Sequence, residues 1–184
     1  DADATKAYAR QGQRPKLVFE VDKADLAMLS KDLRDPTIFH FDAAKAKTIK
    51  LTGWKEVTGT PTTLEFERKD ASTWTAKSPK DFSVSSDKLN HLVAGLSTER
   101  AVKFLDQKAT PKVREEDGLT PDKGGLTIEV TVEGEKEPYT LAVGNLDTDK
   151  NAYYATANRQ GESLFTVRKD VFEKPKEKPA FFNP

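Results

Sequence analysis

Asp147, Asp149 and Asn151 stand at alternate positions, the Asp-x-Asp-x-Asn opening of many calcium-binding loops. Calcium takes oxygen ligands, and carboxylates spaced this way in a loop can turn toward one centre. The helix-loop-helix version also needs Gly at the sixth loop position and Glu at the twelfth. Those places hold Ala152 and Asn158. The run is therefore a weak metal candidate, and the simpler reading is a polar hairpin tip before a strand carrying Tyr153 and Tyr154.

The other reactive side chains form no constellation. His40 lies between Phe39 and Phe41 in a strand-like pattern, and His91 falls on the polar side of a helical pattern. Neither belongs to a spacing that holds zinc. Ser85-Ser86 has no Gly-x-Ser-x-Gly surroundings and reads as a helix cap. Glu115-Glu116-Asp117 is a contiguous acidic triplet, and carboxylates act as an acid–base pair only where burial splits their pKa values. Gly124-Gly125 lacks the lysine and the strand-to-helix setting of a phosphate loop. Trp54, Trp74, Tyr139, Tyr153 and Tyr154 could build a sugar or peptide platform, but aromatics at strand spacing more often fill a core. The expectation is no catalytic residue, no cofactor and no structural metal.

Composition narrows the classes further. The 184 residues carry 30 basic and 30 acidic side chains, and a neutral balance argues against a nucleic-acid coat. Hydrophobic residues make up 36%, enough to place the chain among folded domains rather than disordered ones. With no cysteine there are no disulfides and no thiol chemistry. No apolar run is long enough to span a bilayer, and no signal-peptide pattern follows Asp1.

Any site would have to rest on strands with two or three helices. Apolar and polar residues alternate at 64–67, 128–132 and 139–143, as a half-buried antiparallel sheet requires. Gly134 lies in a charged turn between the last two, which predicts a hairpin. Further strands are expected near 17–21, 37–41, 46–51, 72–76, 100–104, 151–157 and 163–167. Leu89, Leu92, Val93 and Leu96 make one stripe of a helix over 85–97. A second helix is expected over 23–33, capped by Asp22 and stopped before Asp35-Pro36. Residues 105–125 show no periodicity and read as a long connector that could hold a binding loop. Residues 1–5 and 175–184 read as loose ends, because Pro175, Pro179 and Pro184 oppose a regular helix.

The chain also repeats itself. Ala7-Tyr8-Ala9, Arg10-Gln11-Gly12 and Leu17-Val18-Phe19-Glu20-Val21-Asp22-Lys23 are echoed at the far end. There stand Ala152-Tyr153-Tyr154-Ala155, Arg159-Gln160-Gly161 and Ser163-Leu164-Phe165-Thr166-Val167-Arg168-Lys169. Each reads as strand, Arg-Gln-Gly turn, strand and helix start, with a few residues inserted around the turn. Pro36, Phe39 and Phe41 echo Pro179, Phe181 and Phe182. The copies lie too far apart for a solenoid of short repeats. The expected fold is α+β, mainly antiparallel sheet, built from a partly repeated strand-turn-strand-helix unit. Residues 1–35 would be the tail of a preceding unit docked on a main unit of 36–175, with a Pro/Lys-rich end at 176–184.

Over roughly residues 36–175 the chain resembles a bacterial family catalogued only as a domain of unknown function, DUF4340. The resemblance rests on Trp74 followed by Pro79, the 85–97 helix, and Ala101-Val102-Lys103-Phe104-Leu105. It continues through Asp117-Gly118-Leu119 with Pro121, Leu141-Ala142-Val143-Gly144, and Ala152-Tyr153-Tyr154 leading into Leu164-Phe165-Thr166-Val167. Such a resemblance implies repeated α+β units in long envelope proteins, often behind a membrane anchor and in some relatives beside transport systems linked to gliding motility. It brings no catalytic residue. The expectation is a non-catalytic extracytoplasmic module that scaffolds or binds a protein or envelope polymer, not nucleic acid. The alternative is a hydrolase acting on envelope polymers through acidic residues of 105–125, or a glycan-binding domain that uses an aromatic groove.

Overall fold

The computed structural model describes residues 5–11, 14–29 and 34–184. The chain divides into two compact units, 1–35 and 36–184. In the first, β1 (Lys6–Gln11) and β2 (Arg14–Asp22) form an antiparallel pair followed directly by α1 (Lys23–Leu29). Asp22 ends β2 and stands immediately before α1, the place expected of its cap, and the Lys23 N–H bonds the Thr5 carbonyl at 2.9 Å. The expected helix end, residues 30–33, lies outside the described residues. Ala7 and Ala9 pair with Val21 and Phe19, which puts these four side chains on one face of the ribbon.

The second unit is an eight-stranded antiparallel sheet with helices, the α+β fold that the alternation implied. Its strands are β3 (Ala46–Gly53), β4 (Thr62–Arg68), β5 (Trp74–Ser78), β6 (Lys103–Lys108), β7 (Leu126–Val132), β8 (Tyr139–Asp147), β9 (Ala152–Ala157) and β10 (Ser163–Arg168). Its helices are α2 (Lys55–Thr58), α3 (Ser86–Ser97), α4 (Pro111–Glu116) and α5 (Lys169–Glu177). The strand order is β5-β4-β3-β7-β8-β9-β10-β6. β7 and β8 form the expected hairpin, with Gly134 at φ 88° in the turn, a conformation that a Cβ disfavours.

One sheet face carries Ile49, Leu51, Leu64, Phe66, Ile128, Val130, Leu141, Val143, Phe165 and Val167 into the main core. Leu89, Leu92, Val93 and Leu96 of α3 and Phe172 of α5 join them. The opposite face divides. Across β3, β4 and β7 it is polar, with Thr48 against Thr131 at 2.6 Å and Lys50 against Glu129 at 3.0 Å. Beside β10 it is covered by a smaller apolar cluster of Ala109, Val113, Leu119 and Leu164. β10 is consequently buried on both faces, which its alternating sequence did not signal.

Phase decides what α3 tolerates. Leu92 is 4% exposed, whereas the neighbouring His91 is exposed. Leu92→Ala is expected to cost about 2–5 kcal/mol and His91→Ala no more than about 0.5 kcal/mol in urea titrations. Equal losses would put the helix in the wrong phase.

Four sequence expectations change. Residues 37–41 form no strand: Thr37 makes a single bridge with Arg100, and the Ile38 and Phe39 N–H groups both bond the Glu99 carbonyl. The strand expected at 72–76 begins only at Trp74, because the Asp70 carboxylate accepts from the Ser72 and Thr73 N–H groups and holds them in a turn. The 105–125 connector is largely built: β6 runs to Lys108, and α4 follows with Thr110 as its cap and Pro111 at its first position. At six residues α4 is too short to show a period. The C-terminal segment is not loose. α5 runs through Pro175 to Glu177, and Phe182 in the following 3-10 turn is fully buried.

The two hairpins pair in matching register. Ala9 faces Phe19 as Ala155 faces Phe165, Tyr8 faces Glu20 as Tyr154 faces Thr166, and Ala7 faces Val21 as Tyr153 faces Val167. Lys6 faces Asp22 as Ala152 faces Arg168, and each second strand runs straight into its helix at Lys23 or Lys169. One constant offset relates these four pairs, so no insertion is needed. The Arg-Gln-Gly triplets do not correspond, however. Arg10 and Gln11 lie in β1, whereas Arg159 and Gln160 form a 3-10 turn, and Gly12 lies outside the described residues.

Candidate functional site

The Asp147 loop supplies its own cation. Asp147 is 7% exposed, and its carboxylate accepts from the Lys150 N–H at 3.2 Å, from the Lys150 ammonium and from the Tyr154 hydroxyl at 3.3 Å. Lys150, chiefly through its side-chain hydrogen bond, holds the Asp147 pKa below the ordinary carboxylate value. Asn151 turns the chain at φ 50°, and Asp149 is exposed. An added divalent cation would have to displace Lys150. Calcium and EDTA are each expected to leave Tm within about 1 °C. A rise of several degrees with calcium would show that the loop binds it.

Neither histidine joins a metal-ligand group among the described residues. His40 is exposed beside the buried Phe39. Glu115 and Glu116 are exposed on α4, and Asp117 is half-buried. Burial and then the neighbouring Glu116 raise the Asp117 pKa. The backbone here packs more than it catalyses. The Asp117 carbonyl accepts from the Asn145 N–H at 2.8 Å, and a Cβ on Gly144 would lie within 2.2 Å of that same oxygen. The Asp-Gly-Leu turn and the Leu-Ala-Val-Gly strand, two separate sequence motifs, thus meet in space. Gly125 has a similar role, since a Cβ there would stand 2.6 Å from the Gly118 carbonyl.

Four of the five aromatics considered as a platform are core residues: Trp54, Trp74, Tyr139 and Tyr153 are each at most 9% exposed. The indole N–H groups of Trp54 and Trp74 are spent on the Pro175 carbonyl and the Asn90 side chain, both at 2.8 Å. Tyr154 packs against the small cluster and bonds Asp147.

Two buried charges escaped the sequence reading. Lys176 donates to the Gly124 carbonyl at 2.9 Å and the Val143 carbonyl at 3.1 Å, clamping α5 to the 121–125 turn and to β8. Burial lowers its pKa to about 8, against a small opposing pull from Glu56. Glu99 follows the C-terminus of α3 and is 1% exposed, with no hydrogen-bond partner for either carboxylate oxygen. Both looked like ordinary surface residues because burial depends on which distant elements fold over them.

A recess lies between α3 and α5. It encloses about 300 Å³, near the lower bound for small-ligand sites. Leu92, Gly95, Val171, Pro175 and Phe181 make an apolar floor, and Lys88, His91, Asp170 and Lys174 stand around it. Two of those rim charges are engaged already: Lys88 bonds the Asn183 carbonyl at 2.6 Å, and Lys174 pairs with Glu177 at 2.8 Å. An apolar floor with a mixed polar rim suits an apolar side chain of a partner. It offers one carboxylate, Asp170, so it lacks the carboxylate pair of an acid–base hydrolase.

No helix of the described residues is long and apolar enough to cross a membrane. No curated protein and no solved structure matches the chain. The family model described as domain of unknown function (DUF4340) matches residues 1–121. That span takes in the N-terminal hairpin, which the sequence resemblance left out, and stops at Pro121 rather than near residue 175. It covers well over half of the chain, which therefore belongs to the DUF4340 family.

Proposed function

We propose that this chain is a non-catalytic, extracytoplasmic module of a longer repetitive bacterial envelope protein. In this reading it scaffolds that protein or docks a protein or envelope-polymer partner in the service of a transport or gliding-motility system. The observation that carries the reading is the matching pairing register of the strand-strand-helix elements at the two ends of the chain. A whole supersecondary unit repeated within one chain is the mark of a protein built by tandem addition. The groove between α3 and α5 supports partner docking, since its floor is apolar and its rim polar.

Fractionation of the source bacterium, with an antibody raised against this chain, tests the setting. The parent protein is expected in the envelope fraction, and recovery in the cytosol alone would overturn the proposal. Incubation of the purified chain with cell-wall sacculi tests the absence of catalysis. Release of soluble fragments, lost when Asp170 or Glu115 is changed to alanine, would replace the module with a hydrolase.

A further inference from the structure

The two copies of the repeated element share register and differ in burial. Leu164, Phe165 and Val167 are at most 1% exposed, and Thr166 is fully buried. Their counterparts in β2 are more open: Val18 is 59% exposed and Phe19 43%, Glu20 is exposed and Val21 is half-buried. The same holds in the helices, where Leu26 at 37% corresponds to the fully buried Phe172. In the complete sheet β9 pairs with β8 on its outer side, and β10 pairs with β6. The β1–β2 sheet has only two strands, so neither outer edge is paired among the described residues. An isolated two-stranded ribbon is marginal in water, and free edges with apolar side chains invite strand addition. The sheet of residues 36–184 already holds its own β9 and β10 between β8 and β6, so that place is filled.

We propose that β1, β2 and α1 are the closing elements of another domain of this same fold, which supplies the strands they lack. The partner is a polypeptide unit that lays a β8-like strand along β1 and a β6-like strand along β2 and covers Phe19, Val21 and Leu26 with apolar side chains. Recognition is by backbone hydrogen bonds at both edges, with register set by the apolar face. The inference rests on the module reading and assigns residues 6–29 to a unit other than 36–184.

The register dictates the test. Lys6 is the counterpart of Ala152, so residues 36–151 joined directly ahead of Lys6 in the full chain should build an additional eight-stranded sheet that β1 and β2 close. Hydrogen exchange of residues 6–22 is compared between this fusion and the 184-residue chain. Exchange is expected to slow by about 100-fold or more in the fusion, as those amides enter a cooperative sheet. Phe19→Asp with Val21→Asp should abolish the gain. A second fusion, adding residues 36–177 instead, brings its own β9, β10 and α5 and should leave exchange at 6–22 unchanged. Unchanged exchange in the first fusion, an added segment that stays unprotected there, or equal protection in the second would each overturn the proposal. Cell fractionation is independent of all these outcomes, so a cytosolic protein with a protected hairpin would refute the envelope setting and keep the assignment of β1, β2 and α1 to another unit.

Discussion

Phe182→Ala is expected to destabilise the 36–184 unit by about 3–5 kcal/mol, the range for emptying a fully enclosed aromatic site. The Phe182 ring is fully buried, 6.4 Å from the Trp54 ring and 6.1 Å from the Phe66 ring. Its backbone is held too, because the Ser85 N–H donates to the Phe182 carbonyl at 2.7 Å. The segment leading to it is fixed by the Trp54 indole on the Pro175 carbonyl and by Lys176 on two further carbonyls. Phe181, only partly buried beside the α3–α5 groove, should cost less when cut to alanine. Chemical denaturation reads both. A Phe182→Ala cost below about 1 kcal/mol would mean that the last residues are not part of the core. Removing residues 179–184 should be at least as damaging, since it also leaves the Ser85 N–H without its acceptor.

Stability is expected to fall as pH rises from 4.5 to about 7, because Glu99 is held protonated in the folded chain. Burial is the main cause of its raised pKa, to about 7 from an ordinary 4.5. Arg168 and the Arg100 N–H pull it back, the latter close by but outside hydrogen-bonding geometry, while Asp170 pushes it up slightly. The carbonyl end of α3 also disfavours a negative charge there. The folded state therefore binds more protons than the unfolded state across that window. Below 4.5 both states are protonated and Glu99 contributes no pH dependence. Above 7 the full cost applies, roughly 3 kcal/mol for a shift of this size. Glu99→Gln should be close to wild type near pH 5 and more stable than wild type near pH 8. A wild-type-to-variant difference that is the same at both pH values would show that Glu99 is not the titrating group.

Both effects bear on function through the same region. Glu99 closes the turn after α3 and holds residues 38–39 through its carbonyl, while the C-terminal residues floor the α3–α5 groove. Under the docking role proposed above, variants that loosen either are expected to weaken binding at the groove as well as stability. Comparing His91→Ala with Phe182→Ala separates the two, since His91 lines the groove without holding the fold.

The sequence by itself determined what short-range pattern can carry. Alternation located β4, β7 and β8 within a few residues, a four-leucine-type stripe phased α3, and Gly134 marked the hairpin. The ordered block around Phe19 and Phe165 pointed to two hairpins of like register, because register in a half-buried strand is written in which residues alternate. The weakness of the Asp147 run as a calcium loop was also legible, since the missing Gly and Glu are local. What only the tertiary structure decided depended on distant partners. The order of the eight strands is set by pairings between residues as far apart as Thr48 and Thr131, which leave no local trace. Burial of β10 on both faces required α4 to fold over Leu164, and α4 is too short to announce itself by periodicity. Pro175 and the lysines around it suggested a solvated tail, yet Phe182 found a cavity between Trp54 and Phe66, and Lys176 found two carbonyls to satisfy its ammonium. Glu99 is ordinary as a letter and became a buried, unpartnered acid only when residues 36–39 and β10 closed around the end of α3. Composition reports the cost of transferring a side chain from water, whereas the fold decides which side chains are transferred.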